Sequence, residues 1–314
     1  LSGIVSTLVT PFTDDNKIDI ESMQKEIELG ISQGVTGFLI PCDAAEAEYM
    51  TLEEMVTLVR EAKQVTGHKC LIISNVNGVE QTVRLQQCEQ FLAAGSDALN
   101  LNLPFRSDRK EDEWISAVAD IDSFHPKFSL LQDSDMNGVG LPVEWIVRAF
   151  REFDSVRGVK IEVKSSGDKY TKINNMTNGT MNISCARGRD QLLEAYDRGI
   201  HCFMPSGLFK LYVNSFKLYH EKSREAGKKL FYDMGPITLF TCQGGWINGC
   251  FHKEYFKRLG IFKNTNARYA TVLDSYQMRV CQEMIDLALR IEANMESLKT
   301  IIIEIYIAVL IIYR

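Results

Sequence analysis

Lys160 sits in the run Ser155-Val156-Arg157-Gly158-Val159-Lys160-Ile161-Glu162-Val163, which alternates in the manner of a buried β-strand. Successive side chains on a strand point to opposite faces. Val159, Ile161 and Val163 therefore share one face, and Val156, Gly158, Lys160 and Glu162 share the other. With the apolar face packed under helices, Lys160 points to the opposite side, beside a glycine that leaves room. A lysine held in partly dry surroundings loses its charge readily and, as a free amine, attacks a carbonyl to form a Schiff base. From this stretch alone, an ordinary strand-end lysine with its amine in water is the favoured reading. His201 and Cys202 raise the possibility of a metal pair, but neighbours on a strand face opposite ways, so no metal site is expected.

The elements around this lysine repeat. Ile4 to Val9 reads as a strand closed by Pro11; Asp19 caps a helix carrying Met23, Ile27 and Ile31, and Gly34 ends it. Thr36 to Ile40 is a second strand, and Thr51 followed by Glu54 opens a helix with a capping box. Strands at 70–73, 98–103 and 128–132 alternate with helices near 85–92, 111–121 and 143–150. The Lys160 strand is sixth, followed by a helix near 168–177, strand 181–184, helix 190–198, strand 201–204 and a helix from 208. Eight strand–helix units with short connections predict an α/β fold, a (β/α)8 TIM barrel with a C-terminal helical appendage. The expected division is residues 1–227 as barrel and 228–314 as three or four helices packed on it, one of them amphipathic at 276–292. Gln243-Gly244-Gly245-Trp246 in that part reads as tight helix packing, not a phosphate loop.

Composition bounds the partners. The chain has 314 residues, 45% of them hydrophobic, and a net charge of -6 without a basic block, which argues against nucleic acid. Eight cysteines without C-x-x-C spacing, and no opening segment ordered like a signal peptide, predict reduced thiols and a cytoplasmic location. The apolar stretch Thr300 to Tyr313 is about five residues short of a membrane span and contains Glu304, so it reads as a buried terminal helix or an oligomer contact.

In a barrel of this kind the active site is built at the C-terminal ends of the strands. That places Thr10, Pro11, the run Cys42-Asp43-Ala44-Ala45-Glu46, Asn75, Asn77, Phe105, Arg106, Gln132, Asp133, Asp135, Lys160 and Pro205-Ser206-Gly207 at one mouth. Gly3-Ile4-Val5 with Leu8-Val9-Thr10-Pro11-Phe12, then Gly34-Val35-Thr36-Gly37-Phe38, Glu46 followed by Thr51 and Glu53-Glu54, Ala94-Gly95-Ser96-Asp97-Ala98 and Gly158-Val159-Lys160 carry a resemblance. In order and spacing, over roughly residues 1–290, the chain resembles the pyruvate-type class I lyases related to dihydrodipicolinate synthase and N-acetylneuraminate lyase. Phe203 to Gly207, Gly235-Pro236-Ile237 and Cys242-Gln243 look closer to the sugar-acid dehydratase and aldolase branches.

The resemblance implies that Lys160 forms an imine with the ketone of a 2-keto acid and that this imine is the electron sink for C–C or C–O cleavage, with no metal or organic cofactor. It also implies a homodimer or homotetramer. The chain departs from the family at several points. The strand-2 loop, commonly Gly-Thr/Ser-Thr/Asn-Gly-Glu, reads Cys42-Asp43-Ala44-Ala45-Glu46, and the proton-relaying tyrosine of strand 5 is Gln132, which does not titrate. Phe105-Arg106 replaces an aromatic pair, and Asn137 stands where the lysine-biosynthesis branch keeps an arginine.

Three readings follow. In a working lyase of altered specificity, Arg106 binds the substrate carboxylate and favours a neutral lysine, Asp43, Asp133 or a water handles protons, and Ala44, Glu46, Phe105, Ser206 and Gly207 complete the substrate contacts. In a catalytically degenerate barrel, the chain serves as a ligand-binding or assembly protein. In the third reading the same imine supports an isomerisation. Single residues carry plainer alternatives as well: Glu46 as a brace of its loop, Asp43 and Asp133 as exposed loop acids, Arg106 as a surface charge paired with Asp108 or Glu111, and Gln132 as a partner of backbone at the barrel mouth.

Overall fold

The computed structural model describes residues 1–186 and 188–312, with side chains for all of these except 188–190 and 296–312. Eight parallel strands close into a barrel: β1 (Gly3–Thr7), β2 (Gly37–Leu39), β3 (Leu71–Val76), β4 (Ala98–Leu101), β5 (Ser129–Asp135), β6 (Val156–Val163), β7 (Asn182–Cys185) and β8 (Cys202–Phe203). They pair in sequence order, and β8 returns to β1 through Gly3 opposite Cys202 and Ile4 opposite Phe203. Helices α1 (Ile20–Gln33), α2 (Leu52–Thr66), α3 (Gln81–Ala93), α4 (Glu111–Asp122), α5 (Val143–Glu152), α6 (Gly167–Met176), α7 (Gly188–Asp197) and α8 (Phe209–Lys217) each follow a strand. The fold is a (β/α)8 barrel, as the alternation predicts.

Local chemistry sets the boundaries. Asp19 caps α1 by accepting the Ser22 N–H at 3.2 Å, and Gly34 ends it at φ 95°, a left-handed conformation open to glycine. Thr51 and Glu54 form the expected capping box on α2, at 3.2 and 2.9 Å. Two apolar layers result from strand alternation. Val159, Ile161 and Val163 belong to the layer between strands and helices. Val5, Leu39, Ile73, Ala98, Leu130 and Cys202 fill the barrel's interior. Gly158 has a steric reason: a Cβ there would lie 2.7 Å from the Asn182 carbonyl oxygen and 2.8 Å from Leu130.

The appendage consists of α9 (Arg224–Asp233), α10 (Gly235–Thr241), α11 (Gly245–Arg258) and α12 (Ser275–Ile312). The expected division between residues 227 and 228 falls inside α9, because Ser223 caps that helix and accepts the Ala226 N–H at 3.2 Å. The amphipathic segment at 276–292 lies in α12. The side chains from 296 onward, including all of the apolar stretch Thr300 to Tyr313, lie outside the described residues. Among the described residues no helix is long and apolar enough to cross a membrane.

A buried ion pair joins appendage to barrel. Lys253 of α11, 1% exposed, pairs with Glu46 of the β2–α2 loop and donates to the Asn266 carbonyl at 2.6 Å. Its ammonium stands 4.7 Å from the centre of the Phe12 ring, and the Arg268 guanidinium stands 4.4 Å from the same ring. Arg268 donates twice to Glu54, at 2.6 and 2.8 Å, while its backbone N–H donates to Glu46 at 2.7 Å. Burial lowers the Lys253 pKa from its ordinary value, against the pull of Glu46. Nearby, Glu26 of α1 accepts the Val9 N–H at 3.0 Å with one carboxyl oxygen and has no hydrogen-bond partner for the other.

Two stability predictions follow from these charges. Lys253→Met strands Glu46 without a partner and is expected to lower stability by about 3–5 kcal/mol, with much of the loss recovered in Lys253→Met/Glu46→Gln. Urea titrations of the two variants against the parent read this directly, and a single-variant loss below about 1 kcal/mol would show that the pair is dispensable. Burial also pushes the Glu26 carboxyl well above the usual carboxylate range. Its contribution is therefore fully present below the ordinary glutamate value and is lost as pH rises toward the folded-state value. Glu26→Gln removes that loss, so its stability should fall less steeply from about pH 4.5 upward in urea titrations across pH.

Candidate active site

The mouth at the C-terminal ends of the strands holds a cavity of about 500 Å³. Lys160 of β6 reaches into it from the inward face, 5% exposed at the side chain. The parallel register sets Gln132 of β5 beside Lys160 and Ser134 beside Glu162. These inward polar groups form a string. The Asn100 amide donates to Asn75 at 2.7 Å and to the Gln132 carbonyl oxygen at 2.8 Å. The Gln132 amide donates to Glu162 at 3.0 Å, and the same Glu162 oxygen lies 3.6 Å from the Lys160 ammonium nitrogen. That last separation is an ion pair, too long for a hydrogen bond. The Asn75 amide nitrogen, buried and on the cavity wall, has no hydrogen-bond partner.

The β2–α2 loop supplies another wall. Asp43 to Ala45 form one 3-10 turn; Asp43 and Ala44 line the cavity, and Asp43 accepts the Asn102 amide at 3.0 Å. Cys42, beneath it, is pushed up to about 12 by burial, so its sulfur is a thiol and not a nucleophilic thiolate. Glu46 borders the cavity, but both carboxylate oxygens are engaged, one by Lys253 and one by the Arg268 N–H. From the far side come Ser206, which shares a 2.7 Å hydrogen bond with Thr7 and accepts the Asn248 amide at 3.2 Å. Gly207 stands behind it rather than on the wall: its φ is 49°, and a Cβ there would collide with the His252 ring at 2.2 Å.

Several sequence candidates lie off the cavity wall: Thr10, Pro11, Asn77 and Asp135, and also Asp133, Phe105 and Arg106. Asp133 follows Gln132 on β5, and strand alternation sends it outward. It is fully buried, paired with Lys169 and accepting the Leu141 N–H at 2.7 Å, so it is neither an exposed loop acid nor a cavity group. Burial raises its pKa above the ordinary value. Phe105 and Arg106 are exposed and do not line the cavity. The Arg106 side chain, 43% exposed, pairs with Asp108 of its own loop at 3.2 Å and with Glu113 of α4 at 3.1 Å.

Glu162 stands on the lysine's face, as alternation predicts, while other groups were not singled out by sequence reasoning. Asn100 was legible from the strand Ala98–Leu101, where one polar residue interrupts an apolar run. Trp246, Gly244, Gly245, Asn248 and Tyr269 line the cavity from the appendage. The glycine–tryptophan segment, expected to serve helix packing, is therefore part of the cavity wall. No local pattern marks these residues, because the appendage reaches the mouth only through folding. Among the described residues no cluster of metal-ligating side chains occurs.

Comparison with known proteins agrees with this geometry. A 4-hydroxy-tetrahydrodipicolinate synthase from Methylacidiphilum fumariolicum SolV superposes with a TM-score of 0.84 at 15% identity, covering 95% of this chain and 99% of that one. An N-acetylneuraminate lyase from Fusobacterium nucleatum does so with a TM-score of 0.80 at 16% identity, covering 90% and 97%. These likenesses establish the fold. In sequence, an uncharacterized DapA-like lyase of Pyrobaculum islandicum is 26% identical over 178 residues, 54% of this chain and 55% of the relative. A 4-hydroxy-tetrahydrodipicolinate synthase of Thermosipho africanus is 24% identical over 178 residues, 54% and 58%. The chain thus spans little more than half the length of these curated relatives. The family model described as the dihydrodipicolinate synthetase family matches residues 1–204, and with the barrel and the inward lysine in place, the chain belongs to that family.

Proposed function

We propose that this chain is a Schiff-base-forming lyase, an aldolase or dehydratase, acting on a 2-keto acid such as a 2-keto-3-deoxy sugar acid or a pyruvate adduct. The observation that carries this reading is the Lys160 amine, nearly dry, at the floor of the cavity and free of a hydrogen bond to its ion-pair partner Glu162. The membership of the chain in a family whose curated members are named as lyases and synthases supports it.

In this mechanism the Lys160 nitrogen adds to the ketone carbon and water leaves, giving an iminium that draws electrons from the bond to be broken. Lys160 is the cation among the described cavity-lining residues, while Asp43, Glu46, Glu48 and Glu162 are acids. The iminium keeps the positive charge, so an anionic 2-keto acid retains a counter-charge after condensation. With Arg106 held outside, the Asn75 amide and the Thr7–Ser206 hydroxyl pair are the groups placed to meet the substrate's carboxylate and hydroxyls. Because the imine accepts the electron pair, the reaction needs no metal or organic cofactor. Gln132 acts here by orientation, fixing Glu162 beside Lys160. A homodimer or homotetramer goes with this reading, its contacts drawn from exposed apolar groups of the appendage such as Tyr232 and Leu239. A cytoplasmic location goes with it as well, supported by eight free cysteines.

Borohydride trapping with pyruvate, 2-keto-3-deoxy sugar acids and N-acetylneuraminate, followed by intact mass and peptide mapping, tests the proposal. A reduced adduct on Lys160 is expected, and the ligand that traps best identifies the substrate class. Lys160→Ala is expected to give no adduct and no cleavage while keeping stability within about 1 kcal/mol of the parent. Absence of an adduct from folded protein with every ligand would replace this reading with a non-catalytic ligand-binding or assembly barrel.

A further inference from the structure

We infer that Glu162 is the acid–base residue of the Lys160 site, the group that takes up and returns the proton during imine chemistry. This rests on the Schiff-base reading above and goes beyond it by naming the proton carrier. Gln132 holds no titratable proton, so the relay must come from another group.

The position of Glu162 follows from alternation. Two residues after Lys160 on β6, it shares the inward face and lies further toward the open end. Its carboxylate is 3.6 Å from the Lys160 nitrogen, and the Gln132 amide, at 3.0 Å, fixes it there. Its side chain is 21% exposed against 5% for Lys160, so it can exchange its proton with solvent while the amine stays dry. The other acids of the cavity are placed differently: Asp43 accepts from Asn102, Glu46 is engaged by Lys253 and the Arg268 N–H, and Glu48 is exposed, while Cys42 stays a thiol at neutral pH.

After Lys160 has condensed with the C2 ketone of pyruvate and released water, the C3–H bond breaks. Its electron pair becomes the C2=C3 double bond, the C2=N pair returns to nitrogen, and the proton passes to the Glu162 carboxylate. C3 is two bonds from the imine nitrogen, within reach of a carboxylate that already stands beside that nitrogen. Return of a solvent-exchanged proton from Glu162 to C3 reverses the step and replaces hydrogen by deuterium in D2O.

Exchange of the pyruvate methyl hydrogens, followed by proton NMR in D2O, reads this step, and borohydride trapping on the same samples reads the imine. Wild-type protein is expected to show both. Glu162→Gln keeps the Lys160 adduct, because its amide still accepts from Gln132, but exchanges about 100-fold or more slowly. Should Glu162→Gln fail to fold, Glu162→Asp carries the test: one methylene shorter, it should keep the adduct and slow exchange about tenfold. Adduct formation with exchange within about threefold of wild type in the folded variant would overturn the role of Glu162 alone. No adduct in the wild type would remove the Schiff-base reading itself, so the two failures are distinguishable.

Discussion

The cavity exists in its present shape because Glu46 and Lys253 find each other inside the protein. Glu46 lies in the loop after β2, in a left-handed conformation at φ 65°, and Lys253 lies on the third helix of the appendage. Taking both charges out of water costs several kcal/mol per ion, and the cost is met only because every neighbour contributes. Arg268 donates its backbone N–H to Glu46, Asn266 accepts from Lys253, and the Phe12 ring lies close to both cations. The pair fixes the 3-10 turn that carries Asp43 and Ala44, and it fixes the segment that carries Tyr269. Two walls of one cavity are therefore set by one buried contact.

The barrel supplies the floor by a different route. A closed parallel sheet has an interior that side chains must fill, and apolar groups such as Val5, Ile73 and Leu130 do so over most of its depth. At the open end polar residues take over: Asn75, Asn100, Gln132, Lys160 and Glu162 are linked side chain to side chain across neighbouring strands. Such a string satisfies most of its own polar groups, which is the condition for placing a lysine and a glutamate together in a nearly dry site. It also leaves the Asn75 amide aimed without a partner, a cost that a bound substrate can relieve.

The departures from the family pattern have a common sense in this geometry. The residue beside the lysine lost its titratable proton, and an acid appears two residues after the lysine on the same face. The loop after β2 has neither the hydroxyls nor the glycines of that pattern, and its acid Asp43 is turned to the Asn102 amide just past β4. The cation sought for the carboxylate, Arg106, is committed to Asp108 and Glu113. Fold and family are thus shared, while the groups around the amine belong to this chain.

The barrel, its strand order and the inward direction of Lys160 were legible in the sequence, because they follow from periods of two and 3.6 residues and from local caps such as Asp19, Gly34 and the Thr51–Glu54 box. Alternation also sufficed to place Glu162 on the lysine's face and to turn Asp133 away from it, since Gln132 and Asp133 are neighbours on one strand. Proximity to the chain's strand ends was a poorer guide for loops, where backbone direction is free: Phe105 and Arg106 leave the mouth, and Gly207 backs onto His252. Only tertiary structure decided that Trp246, Asn248 and Tyr269 belong to the site's walls and that Lys253 and Arg268 hold Glu46 at its edge. Those residues stand 86 or more positions from Lys160 in the chain. Contacts closed over such lengths depend on packing and on the desolvation of paired charges, which no local repeat encodes.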